Sequence, residues 1–280
     1  VGAVGVHGHR LRTATFTLNG QLVFDGARLK KRPDAALGKS RVAVRQLQSV
    51  ANRFEHFPPH VHEPGGHIFH LQQAALLAKH GVRHNPPPAS ITDAEVLLVA
   101  VKPQIMDEVL APLTGLARSK PLVLSIAAGK TIASFERHFG SDAAVIRTIP
   151  NTPAAVGRGI TAMAANPNVS HGQMALAEQL LSSIGEVVQV ADESLIDAAT
   201  AVSGSGPAYI FYMTECMTAA AEAVGLPPDV AVKLARATVA GSGELMRVSG
   251  TDAATLRQNV TSPKGTTYEA LQVLMADTGL

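Results

Sequence analysis

Apolar residues along this chain follow two rhythms, and the change between them divides the sequence. Between residues 76 and 193 they gather in short continuous runs: "EVLLVAV" (95–101), "PLVLSIAAG" (121–129), "AAVIRTIP" (143–150), "GITAMAA" (159–165) and "GEVVQVA" (185–191). A strand covered on both faces needs such runs, without polar alternation. Stretches with helical spacing lie between them. "QIMDEVLAPL" (104–113) repeats apolar residues at Ile105, Val109 and Leu113. "TIASFERHF" (131–139) reads as a short helix with Thr131 as its N-cap, and "SHGQMALAEQLLSSI" (170–184) as a longer one. Strands alternating with helices predict a doubly wound parallel sheet of the Rossmann-like α/β class.

After residue 193 the runs stop and helical spacing takes over. "GSGPAYIFYMTECMTAAAEAVG" (204–225) predicts a long helix, with Pro207 in its first turn and Gly225 suited to its C-cap. "PPDVAVKLARATVAGSGELMRV" (227–248), "DAATLRQNV" (252–260) and "TTYEALQVLMAD" (266–277) predict three more. The expectation is an α/β domain over 76–193 followed by an all-α domain over 194–280. Many nicotinamide-dependent reductases share that layout, which is an analogy of fold alone.

Residues 1–75 fit neither rhythm. "TATFTLNGQLVFDG" (13–26) alternates enough to predict a hairpin around Asn19-Gly20. "RLKKRPDAALGKSR" and "HFPPHVHEPGGH" carry no sustained period. Charge sharpens the contrast: up to residue 84 there are 12 Lys/Arg against 4 Asp/Glu, and beyond it 12 against 18. Nine of the 11 histidines also precede residue 85. The basic residues are scattered apart from those in 28–32, so no nucleic-acid arm is expected. His56, His60, His62, Glu63, His67 and His70 have the donor types a metal takes, but nothing in the pattern orients them, and no metal site is expected. Val at position 1, the histidine-rich composition and the charge jump are what a frameshifted or misjoined first segment would show.

The single cysteine, Cys216, excludes a disulfide framework and reads as a small buried hydrophobe. No apolar run reaches the roughly 18 residues of a membrane span, and the first residues lack the pattern of a secretion signal. A soluble, cytoplasmic protein without membrane partners is the expectation.

Candidate chemistry gathers at strand ends, where an open α/β sheet binds its ligand. "AVKP" (100–103) turns sharply after the first run; its plainer reading is that Pro103 opens the next helix. "SIAAG" (125–129) and "TIPNTP" (148–153) are two more such ends, and Asn151 is the polar side chain there able to donate and accept, or to close an Asx-turn. "AVSGSGPAYIF" (201–211) sets small residues ahead of a helix, which suits an anion or, more simply, close helix packing. In "NVTSPKGTTYEAL" (259–271), Thr261, Ser262, Gly265, Thr266 and Thr267 put hydroxyls and backbone N–H groups at a helix N-terminus, with no acidic side chain to repel a small carboxylate. An ordinary N-cap is the alternative.

Taken in order over residues 76–280, "LLVAVKPQ", "LSIAAG", "IRTIPNTPAAVGRGITAM", "AVSGSGPAYIF" and "NVTSPKGTTYEAL" resemble the pyrroline-5-carboxylate reductase family. The resemblance implies a Rossmann domain binding NADPH or NADH. It also implies a helical domain that interlocks with a second copy into homodimers, which assemble further into rings as large as a decamer. Ala100, Val101, Lys102 and Pro103 match the family's cofactor-binding strand end, and Ala127, Ala128 and Asn151 its nicotinamide side. Ser262, Gly265, Thr266 and Thr267 match the loop holding the substrate carboxylate, with Thr267 in the catalytic position beside the ring nitrogen. The implied reaction is hydride transfer from nicotinamide to the C=N carbon of a cyclic imine, yielding proline. Three departures stand out. Residues 1–75 contain no G-x-G-x-M-A turn in place of the family's first βαβ, Lys264 stands where the family commonly has Gly, and the family usually continues past Leu280 through another short helix. Without the glycine turn the pyrophosphate loses a helix N-terminus, which predicts weak or absent cofactor binding. The alternatives are therefore a catalytically impaired member lacking that loop, or a related β-hydroxyacid dehydrogenase.

Overall fold

The computed structural model describes residues 10–11, 13–16, 27–28, 87–91 and 94–277. Eight strands are described: β1 (Arg10–Leu11), β2 (Thr13–Phe16), β3 (Ala27–Arg28), β4 (Val96–Val99), β5 (Leu122–Ser125), β6 (Val145–Pro150), β7 (Gly159–Ala165) and β8 (Gly185–Gln189). Six form one sheet in the order β2-β4-β5-β6-β7-β8. The five apolar runs supply β4 to β8. Two pairings are described around the alternating segment, and the antiparallel one brackets Asn19-Gly20 as a hairpin would. Thr13–Phe16 pairs parallel with Val96–Val99, while Arg10–Leu11 pairs antiparallel with Ala27–Arg28. Asn19-Gly20 and the histidine-rich run lie outside the described residues.

β2, β4, β5 and β6 run parallel, β7 runs antiparallel to β6, and β8 is parallel to β7. The reversal at β7 departs from the all-parallel expectation, and the reason is chain length. A parallel crossover takes a dozen or more residues, and the link between Pro150 and Gly159 is residues 151–158. Gly185 opens β8 with φ +151°, and a Cβ there would collide with the Gly159 carbonyl, so only glycine fits this close strand start.

Eight helices are described. They are α1 (Met106–Leu110), α2 (Ile132–Phe139), α3 (His171–Leu181), α4 (Leu195–Ala199), α5 (Gly206–Ala223), α6 (Pro228–Ser249), α7 (Ala253–Asn259) and α8 (Thr266–Leu274). Helices cover both faces of the sheet. Leu97, Val99, Val123 and Val145 pack against Met106, Val109 and Leu110 of α1 and Phe135 and Phe139 of α2. Val96, Leu122, Leu124, Ile146 and Met163 pack against Ala177 and Leu181 of α3. α3 starts with a reciprocal capping box between Ser170 and Gln173. A smaller cluster joins Ile149, Ala162 and Ala164 to Ile196 of α4. Thr131 takes the N-cap position of α2 without capping it: its hydroxyl meets Ser134 Oγ, and the Ile132 N–H is accepted by Glu193 Oε1 at 2.8 Å.

The chain divides into two compact units between Pro207 and Ala208. In the second, α6 buries Ala231 and Ala235, whereas α5, α7 and α8 bury no described residue. Cys216, expected to be buried, is exposed on α5. A helix apolar on all sides is normally covered, yet Tyr209, Phe211 and Tyr212 stand 59%, 61% and 68% exposed in the single chain.

Candidate functional site

β4, β5 and β6 deliver their C-terminal ends to one edge of the sheet, with Val99 beside Ser125 and Ser125 beside Arg147. Beyond Val99, Ala100 and Val101 lead to Lys102, which is exposed and extended (φ −60°, ψ 135°). Pro103 then opens a 3-10 turn from its first position, which is the plainer role expected of it.

Beyond β5 the turn is set by two buried hydroxyl residues that sequence reasoning passed over. Ser125 Oγ accepts the Ala127 N–H at 3.1 Å, and the Ser125 carbonyl accepts the Thr148 hydroxyl at 2.8 Å. These bonds fix the path of Ala127 (buried), Ala128 and Gly129 (both exposed), the last at φ +70°. Beyond β6, Asn151 uses both ends of its amide within the protein. Its Oδ1 accepts the Ile160 N–H at 2.9 Å, and its Nδ2 donates to the Ser203 carbonyl at 3.1 Å. It closes no Asx-turn; it ties the end of β6 to β7 and to a π-helical turn over Thr200–Gly204.

A cleft of about 270 Å³ opens at this edge. It is lined by Ala127, Ala128 and Gly129 after β5, by Arg147, Thr148 and Ile149 of β6, and by Ile196, Asp197 and Thr200 of α4 and the turn that follows it. Of the expected cofactor residues, Ala127 and Ala128 border it; Ala100, Val101, Lys102, Pro103 and Asn151 do not. Arg147 is the charged residue that sequence reasoning missed. Its side chain is 6% exposed and pairs with Glu193 at 3.1 Å and Asp197 at 2.8 Å. A charged residue inside an otherwise apolar strand run was the available signal.

The expected substrate residues lie in the second unit. Ser262, Thr266 and Thr267 are exposed, and Gly265 is half-buried. The Gly265 N–H closes a turn onto the Ser262 carbonyl at 3.0 Å, and Gly265 takes the N-cap position of α8 with Thr266 and Thr267 as its first residues. No side chain caps α8. Lys264 sits at φ +56°, in the left-handed region that favours glycine.

A Rossmann-like α/β unit with a cleft at its strand ends, followed by a helical unit, defines a nucleotide-cofactor type of fold. Residues 193–279 match the family model described as pyrroline-5-carboxylate reductase dimerisation. The pyrroline-5-carboxylate reductase of Synechocystis sp. is 48% identical over 181 residues, 65% of this chain and 67% of that protein. That of Pseudomonas aeruginosa is 42% identical over 188 residues, 67% and 69% of the two chains. The solved pyrroline-5-carboxylate reductase of Coxiella burnetii superposes with a TM-score of 0.72 at 30% identity, covering 94% of this chain and 90% of that one. The Plasmodium falciparum pyrroline carboxylate reductase, solved with NADP bound, gives a TM-score of 0.58 at 31% identity over 65% of this chain and 69% of its own. The chain belongs to the pyrroline-5-carboxylate reductase family.

Proposed function

We propose that the chain reduces 1-pyrroline-5-carboxylate to L-proline with NADPH or NADH, the last step of proline biosynthesis. The observation that carries this reading is the 48% identity to the Synechocystis enzyme over 181 residues. These relatives favour imine reduction over the β-hydroxyacid dehydrogenase alternative.

The residues at the sheet edge suit a nicotinamide cofactor. Ala127, Ala128 and Gly129 carry no side chain larger than a methyl, so backbone can approach a ligand closely, and the adjacent cleft is open to solvent. When bound, the cofactor supplies the hydride. Backbone groups of Ala100, Val101, Lys102 and Pro103 hold its ribose side in this reading, with Ala127, Ala128 and Asn151 toward the nicotinamide. Ser262, Gly265 and Thr266 form the loop that holds the substrate carboxylate, with the hydroxyls of Ser262 and Thr266 and the first N–H groups of α8 as donors. Thr267 Oγ1 accepts a hydrogen bond from the N–H of the protonated ring nitrogen and orients the C=N carbon. A protonated imine is already a good electrophile, so a neutral hydroxyl suffices, and positioning does most of the protein's work.

In the same reading, residues 76–193 form the cofactor domain and 194–280 the substrate and dimerisation domain, with residues 1–75 in place of the first βαβ. The chain works as a homodimer, with a decamer as its larger form, and the apolar surface of α5 is the element to be covered. No described helix is long and apolar enough to cross a membrane; a cytoplasmic location is part of the same proposal. The deciding experiment mixes the purified chain with NADPH and pyrroline-5-carboxylate and follows nicotinamide absorbance, with sedimentation velocity on the same sample. The expected result is oxidation that depends on both reagents, from a species of at least two chains. Tight NADPH binding without turnover of the imine would overturn the reading.

A further inference from the structure

Arg147 is the buried charge among the described residues of the sheet. It stands in β6 among Val145, Ile146, Thr148 and Ile149, every one of them buried. A buried guanidinium persists where its charge and its planar fork of N–H donors are both matched. Nη1 donates to Glu193 Oε1 at 3.1 Å and Nη2 to Asp197 Oδ1 at 2.8 Å. The same Glu193 oxygen accepts the Ile132 N–H at the start of α2. One carboxylate oxygen thus joins β6 to the helix that follows Ala127–Gly129. Asp197 joins β6 to α4, which runs straight into the π-helical turn over Thr200–Gly204. π-helical turns recur at functional sites, and here Ser205 N–H bonds the Thr200 carbonyl at 2.8 Å. Ala127, Arg147, Asp197 and Thr200 all border the one cleft.

We propose that Arg147 is a positioning residue. Through Glu193 and Asp197 it fixes the separation between the Ala127–Gly129 turn and α4, and hence the shape of the cleft that receives the nicotinamide end of the cofactor. This rests on the reading that Ala127 and Ala128 hold that cofactor. The fork geometry is essential to the role. A lysine ammonium is a point charge on a flexible stem and does not hold two carboxylates in one plane.

The test uses the full chain as wild type, Arg147→Lys and Glu193→Gln. Glu193→Gln keeps an acceptor for the Ile132 N–H while removing the charge that pairs with Arg147. All measurements are made well below each variant's melting temperature. Arg147→Lys is expected to raise the KM for NADPH and lower kcat/KM by about ten- to a hundredfold, since small misplacements at a reacting centre have effects of that size. The KM for pyrroline-5-carboxylate is expected to stay at the wild-type value. Hydrogen exchange is read without cofactor or substrate. Amides in 129–134 and 193–200 are expected to exchange about tenfold faster in Arg147→Lys and Glu193→Gln, with 170–181 unchanged. Faster exchange with both KM values and kcat at wild type would overturn the proposal, because Arg147 would then be structural only. Unchanged exchange in both variants would overturn it as well. If the wild type reduces no imine, the functional reading fails by itself. The positioning role then stands or falls on exchange and on NADPH affinity by nicotinamide fluorescence, which must weaken in Arg147→Lys.

Discussion

Asn151 offers a direct way to separate a holding role from a binding role at the sheet edge. Its amide bridges the Ile160 N–H and the Ser203 carbonyl at 2.9 and 3.1 Å, across separations of 9 and 52 residues. Asn151→Ala removes both bonds. A neutral hydrogen bond contributes about 1 kcal/mol net, and a donor left unpaired away from water costs about 1–3 kcal/mol. Asn151 is half-buried, so water can reach part of what is left, and the total comes to about 2 kcal/mol. For a chain of this size each kcal/mol moves Tm by about 2–4 °C, giving an expected loss of about 4–8 °C. Asn151→Asp sharpens the point. Its carboxylate still accepts from Ile160 but has no proton for Ser203, so two oxygens face each other, and the loss should approach that of alanine. Differential scanning calorimetry of the three proteins reads this directly. A wild-type Tm in both variants, together with weakened NADPH binding, would refute the bridging argument and leave Asn151 as a cofactor contact alone.

Lys264 and Asp107 give two further predictions. Holding a non-glycine residue at φ +56° costs about 1–2 kcal/mol. Lys264→Gly should therefore raise the urea midpoint by the equivalent of about 0.5–1 kcal/mol after glycine's extra chain entropy, while Lys264→Ala should not; equal midpoints for all three would refute the strain. Asp107 on α1 accepts a hydrogen bond from His138 Nε2 on α2 at 2.9 Å, and this bond, followed by the charges of Lys130, His138 and Arg137, holds its carboxyl below the usual range. A lowered folded-state pKa contributes stability above the unfolded value of about 3.9 and loses it as pH falls through the folded one. Asp107→Asn should thus melt below wild type near neutrality, and the two should converge below about pH 4. A constant gap through that window would show that Asp107 acts through something other than its charge.

What the sequence made legible, and what it did not, follows from how far each signal reaches. β4, β5 and β6 were plain because a strand covered on both faces excludes polar side chains at nearly every position, a condition visible within a single run. The direction of β7 was not, since "GITAMAA" is buried alike whichever way it runs; the short link after Pro150 held the answer. Thr131 shows the limit of local capping rules. The nearest hydroxyl occupied the right position, while the acceptor for Ile132 came from Glu193, 61 residues on. Arg147 repeats the pattern: its partners lie 46 and 50 residues away, beyond any periodicity. Cys216 fails for a different reason. Its helix is apolar enough to be buried, and the single chain leaves it open, so the sequence registered a covered helix without indicating what covers it. Local pattern therefore located the edge proposed to take the cofactor and left out the charges that lock that edge. An arginine inside an apolar strand already states that two distant carboxylates must exist, and finding them is the step that turns a strand end into a site.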